Sequence, residues 1–200
     1  MARKVRFGLR NTKYALYNPT TGEYGSIKEM PWAVALSLSA EGGDGADFYA
    51  DDTICYKFAG TNGGYSGTFE LANIPDSIRA DLLGEVVDAA TGVQFEIGNA
   101  EPAQFALITE MQTDNGPMGF VFYNCKASRP DIAANTKSEN PSVDTETLSL
   151  SIATQEFTYD GSKKLFIQGH IQKTDSNVSL YNAFFESVVT PGGAESGLSA

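Results

Sequence analysis

Residues 49–84 read YADDTICYKFAGTNGGYSGTFELANIPDSIRADLLG. Two aromatic strand-like runs, Phe48 to Ala50 and Ile54 to Phe58, flank a polar, acidic connection from Ala50 to Thr53. That pattern predicts a hairpin. A Gly-rich turn follows, then the alternating strand Tyr65 to Leu71. One short helix comes next. Pro75 suits its first turn because the missing N–H costs nothing there. Asp76 is favoured in that turn by the helix dipole. Ile74, Ile78 and Leu82 form an apolar stripe at i, i+4, i+8 spacing. Gly84 fits the position just past the helix end.

Upstream, Lys13 to Asn18 predicts a first strand, extendable to Phe7 and Leu9, and Pro19 to Gly22 a turn. Ser26 to Glu29 is expected to return as a short strand. From Ala33 to Ser39, Val34, Leu36 and Leu38 alternate with Ala33, Ala35, Ser37 and Ser39, as in a half-buried strand. The glycines of 41–45 predict a flexible lead into the hairpin. Downstream, strands are expected at Val93 to Ile97, Ala103 to Gln112, Met118 to Ala127, Leu148 to Phe157 and Lys164 to Gln172. The turn at 113–117 makes a hairpin of the second and third. Residues 128–141 read as a long exposed loop. Tyr181, Phe184, Phe185 and Val188 predict a second helix over Asn177 to Val189, ended by Pro191. The fold class expected is mainly β: an antiparallel β-sandwich or partly open barrel with one packed helix and a C-terminal helix. Residues 1–190 form one domain in this reading, and 191–200 a flexible tail.

The 200 residues suffice for a substantial core. Fourteen basic residues against 25 acidic ones leave a net charge of -11. A grip on a nucleic-acid backbone needs clustered Lys and Arg, so this balance argues against one. It permits an acidic surface past which DNA slides. No apolar run approaches the roughly 20 residues that span a bilayer, so no membrane partner is expected. The opening MARKVRFGLR is basic and lacks the apolar stretch of a signal peptide. Cys55 and Cys125 are too few for a disulfide framework and are expected to be reduced thiols in a cytoplasmic product.

Enzyme signatures are sparse, and no catalytic residue, cofactor or metal ligand is assigned. His170 is the single histidine, which removes most Ser-His-Asp, Cys-His and multi-histidine metal sites. Gly64-Tyr65-Ser66-Gly67 has the wrong spacing for a nucleophile elbow. Asp51 and Asp52, with Asp44 and Asp47 nearby, offer carboxylates for Ca²⁺ or glycoside chemistry, but match no calcium-loop spacing. Asn177-Val178-Ser179 fits a glycosylation acceptor only in a secreted context. The aromatics Phe48, Tyr49, Tyr56, Phe58 and Tyr65 are either ordinary sandwich core or a protruding hairpin whose rings anchor on a neighbouring subunit.

Several landmarks together resemble the major tail proteins of siphophages that infect Gram-positive bacteria. They are Phe7-Gly8-Leu9-Arg10-Asn11 with Tyr14-Ala15, Tyr49-Ala50-Asp51-Asp52, and the run from Gly67 through Phe69-Glu70-Leu71, Ile74-Pro75 and Ala80-Asp81-Leu82-Leu83-Gly84. Ala106-Leu107, Val121-Phe122-Tyr123 and Phe184-Phe185 complete the set, which extends from about Phe7 to Val189. Cys55-Tyr56-Lys57 and the 128–141 loop depart from the pattern. The resemblance implies a tail-tube-like fold, similar to that of type VI secretion tube proteins, and a virion structural protein rather than an enzyme. It implies self-assembly into hexameric rings stacked as a tube, assembled in the host cytoplasm and ending in the virion tail. Genomic DNA would pass through the lumen without specific binding, and a tape measure protein and tail-tip and terminator proteins would be further partners. The Gly-flanked arm, about Glu41 to Gly64 and carrying Phe48, Tyr49, Asp51, Asp52, Tyr56 and Phe58, matches the hairpin that reaches an adjacent ring. Two further readings are a tube of a phage-derived injection or secretion device and a carbohydrate-binding β-sandwich; a third is a hydrolase using Asp51 or Asp52.

Overall fold

A computed structural model of the protein describes residues 5–136 and 144–192. The first residues of the basic N-terminus, the end of the expected 128–141 loop and nearly all of the expected tail therefore lie outside the described residues. In chain order the strands are β1 (Arg6–Asn18), β2 (Glu23–Tyr24), β3 (Lys28–Glu29), β4 (Ala33–Glu41), β5 (Asp47–Ala50), β6 (Thr53–Lys57), β7 (Gly64–Leu71), β8 (Val86–Val87), β9 (Gln94–Phe95), β10 (Phe105–Thr113), β11 (Gly116–Ser128), β12 (Glu146–Ile152), β13 (Gln155–Tyr159), β14 (Ser162–Phe166) and β15 (Gln168–Gln172). The helical segments are α1 (Asp76–Ile78), continued by a π-helical turn over Arg79–Leu83, and α2 (Val178–Ala183).

The fold is mainly β and antiparallel, as the strand inventory predicts. Among the described residues the main sheet runs β2-β1-β10-β11-β12-β7-β4, with β3 on β1 and β15 on β11. Strand β11 is long enough to serve two partners along one edge. It pairs with β15 over Met118 to Phe122 and with β12 over Cys125 to Ser128. Between them Asn124 takes a positive φ of 48°. Its side-chain amide donates to the Thr154 carbonyl, and its own carbonyl accepts from the Ala153 N–H. The sheet curls until the Met30 N–H donates to the Thr12 carbonyl, bringing the segment before β4 alongside β1. Beyond that point the edges of β1 and β4 part, so the barrel stays open.

Strands β10 and β11 are buried on both faces, and side-chain alternation sends their residues into two cores. Phe105, Leu107, Phe120 and Phe122 join Phe69, Leu71, Leu148 and Leu150 inside the curl. Ala106, Ile108, Val121 and Tyr123 face outward and are covered by Tyr181, Phe184 and Phe185. The Ile74, Ile78 and Leu82 stripe closes one end of the inner core, each 2% exposed or less. Two ionic fastenings hold that helical segment. Asp81 accepts from Tyr14 and Lys28, both at 2.6 Å. Arg79 pairs with Glu146, which also accepts the Ile74 N–H. Gly84, at φ 75°, ends the segment as expected. Pro75 sits one residue earlier than expected, at the N-cap.

Several expected elements are redrawn. The run Leu148 to Phe157 divides at Ala153 and Thr154, where the Asn124 bonds turn the chain out of the main sheet into the β13–β14 hairpin. The strand at Val93 to Ile97 shrinks to β9, which pairs only with β8. A bulge between Ala33 and Ala35 takes Val34 off the apolar face of β4, leaving it 49% exposed. The C-terminal helix stops at Ala183 rather than Val189. The run Val188-Val189-Thr190 has weak helix propensity, and Val189 is held instead by its carbonyl, which accepts from the Tyr123 hydroxyl at 2.6 Å.

Candidate functional site

The hairpin of β5 and β6 stands off the molecule, and every residue from Glu41 to Gly63 is exposed. Its turn is Asp51-Asp52, with φ of 51° and 58°. Two consecutive positive φ values make the tight turn whose twist matches a hairpin, and short polar side chains tolerate it best. Phe48 lies opposite Tyr56, and Tyr49 opposite Ile54, so Cys55 is an extra, bulged residue. Alternation then places Phe48, Tyr56 and Phe58 on one face, with the Tyr56 and Phe58 rings 4.9 Å apart. Tyr49 and Ile54 occupy the other face, beside the Asp47–Lys57 pair at 3.3 Å. Phe48, Tyr49, Tyr56 and Phe58 are each 55–61% exposed, so none of them belongs to the core. Tyr65 stands apart, half-buried against Phe122.

The glycine segment expected to be a flexible lead is instead one side of a paired ribbon. Phe58 donates to the Ala46 carbonyl, Thr61 to Gly43 and Gly63 to Glu41, at 2.7–2.9 Å. The Thr61 hydroxyl accepts from the Gly43 N–H. The two chains approach so closely that a Cβ on Gly45 would lie 2.6 Å from the Phe58 carbonyl oxygen. The glycines are there for close backbone approach. Nine residues from Gly42 to Ala50 at about 3.3 Å each give the arm a reach of about 30 Å.

The chemical candidates scatter. Asp51 and Asp52 sit at the arm tip, and among the described residues no cluster of three or more His, Cys, Asp or Glu could hold a metal ion. Ser66 lies within the straight run of β7 and donates to Glu41, so Gly64 to Gly67 is no strand-to-helix elbow. His170 is exposed on β15, its ring 5.8 Å from that of Phe120. The Asn177 amide bonds the backbone at Gln172 and Thr174. Cys55 is exposed and Cys125 buried, both as free thiols. Burial pushes the Cys125 thiol up to about 12. The buried Glu110 carboxylate accepts from Arg10 and Gln112. Burial, and after it the nearby Glu110 carboxylate, push the Tyr181 phenol up. No helix among the described residues is long and apolar enough to cross a membrane.

Sequence reasoning did not find the open mouth of the curled sheet. There a cavity of about 480 Å³ lies between β4 and β15, lined by Leu36, Leu38, Tyr65, Phe120 and Phe122, with Arg6 and His170 at its polar side. The Arg6 guanidinium lies 5.5 Å from the centre of the Phe120 ring. Only folding brings Arg6 near His170, so no local motif could signal it. The chain matches no protein-family model, and a search of curated proteins finds no match.

Proposed function

We propose that this chain is a structural tube subunit, a virion protein that assembles into hexameric rings stacked as a phage tail tube. The observation that carries this reading is the arm. An acidic-tipped hairpin exposes four aromatic rings on a ribbon about 30 Å long and touches no core of its own. Exposed aromatic anchors of this kind suit a partner surface. The open edges of β1 and β4 support the same reading, since unpaired sheet edges are usually covered by another chain. The charge of -11 suits a lumen that DNA traverses without sticking. On this account the chain has no catalytic role, its main partner is itself, and its place is the virion tail.

Negative-stain electron microscopy of the purified protein, over a range of concentrations, tests the proposal. Rings or stacked tubes with a central hole are the expected outcome. A protein that stays monomeric while binding a glycan array would instead make the exposed rings a carbohydrate platform.

A further inference from the structure

Deepening the tube-subunit proposal, and resting on it, we infer that the mouth between β4 and β15 is the receptor for the arm of a second copy of this chain. The Phe48, Tyr56 and Phe58 face of that arm seats against Leu36, Leu38 and Phe120, with the acidic tip towards Arg6.

Three observations favour this occupant. The first is chemical match. The arm brings rings to a mouth walled by aliphatic and aromatic side chains, and its volume of about 480 Å³ suits side chains of that size. Arg6, already over Phe120, offers a further ring the same cation–π contact. The second is charge. Between Asp44 and Lys57 the arm carries four carboxylates and one ammonium. The described lining of the mouth contains Arg6 and no carboxylate. Another exposed apolar patch, Val86, Val87 and Phe95, sits among Glu85, Asp88 and Glu96, which would repel the arm. The third is placement. Tyr65, paired with Ala40, and Leu38, paired with Gly67, lie one and three residues from the Glu41–Gly64 pair at the arm's base. The rings lie towards the far end of the arm, so a copy whose arm extends this way leaves its own mouth empty and fills another's. Filler and receptor displaced on one chain make a heterologous contact, which propagates from copy to copy.

The native thiol of Cys55 provides the test. In a His170→Cys variant of the full chain, assembled and then treated with a mild thiol oxidant, Cys55 of one copy should cross-link to position 170 of the next. Non-reducing gels should show a ladder beyond the dimer, absent in wild type and lost in His170→Cys with Cys55→Ser. Arg6→Cys supplies a second probe position should His170→Cys fail to fold. Absence of a ladder at both positions in protein that still forms rings or tubes would overturn this receptor assignment and leave the tube proposal standing. Cross-linking that stops at the dimer would overturn the head-to-tail arrangement. Wild-type protein that is monomeric at every concentration would overturn the tube proposal, and this inference with it.

Discussion

Replacing Leu82 by alanine tests whether the short helical segment is a core element. Leu82 has no exposed surface and packs in the inner cluster with Ile74, Ile78 and Phe105. Its backbone carbonyl accepts from Ala103 at 3.0 Å, and this bond survives the substitution. The loss is therefore confined to side-chain transfer and the cavity left behind. For a fully buried leucine this totals about 3 kcal/mol, within the usual 2–5. In a chain of this size each kcal/mol moves the midpoint by roughly 2–4 °C, so Tm should fall by about 6–12 °C. Leu82→Asp should fall further, because an unpaired charge would be buried. Val86→Ala, at a half-exposed site, is the control and should change stability by less than about 0.5 kcal/mol. Circular dichroism melts at dilute concentration keep self-association from adding to the signal. A Leu82→Ala protein melting within about 2 °C of wild type would refute the packing argument.

Gly45→Val should splay the ribbon, since its side chain would collide with the Phe58 carbonyl. The core melt should be nearly unchanged while limited proteolysis cuts the arm faster; equal protection would mean the close approach is dispensable. Asp81 should make stability acid-sensitive. Partial burial raises its pKa, but hydrogen bonds from Lys28 and Tyr14 outweigh this and hold it below the ordinary 3.8. A depressed carboxylate stabilises above its ordinary value and loses that contribution as pH falls through the folded value. The Tm gap between wild type and Asp81→Asn should therefore narrow below about pH 4, and a gap constant with pH would contradict the assignment. A thiol reagent should titrate Cys55 at once and Cys125 only after unfolding, since one is exposed and the other buried; rapid modification of both would place Cys125 outside the core.

What could be read in the sequence was local. Alternation gave β7, the 113–117 turn gave the hairpin of β10 and β11, and Pro75 with Gly84 bracketed the helical segment. Ile74, Ile78 and Leu82 were legible because their spacing matches one helix face. The misreadings came from tertiary geometry. Nothing in Leu148 to Phe157 signals that Asn124, on another strand, would turn the chain at Thr154. The glycines of 41–45 carry the same composition whether they form a loose lead or a closely paired ribbon. The mouth joins Arg6 to His170 across the whole chain, so it had no sequence signature at all. The exposure of Phe48, Tyr49, Tyr56 and Phe58 was one of two readings consistent with their composition, and only the fold separates them.

Deleting Gly45 to Cys55 and comparing the product with wild type by electron microscopy, with light-scattering mass alongside, tests most directly the claim that the arm bridges rings. The paired neck at Gly43 and Thr61 lies outside the cut, so the sheet should fold and melt as before. The account predicts a folded protein that forms no long tubes under conditions in which wild type does. Long, regular tubes from the deletion protein would contradict it.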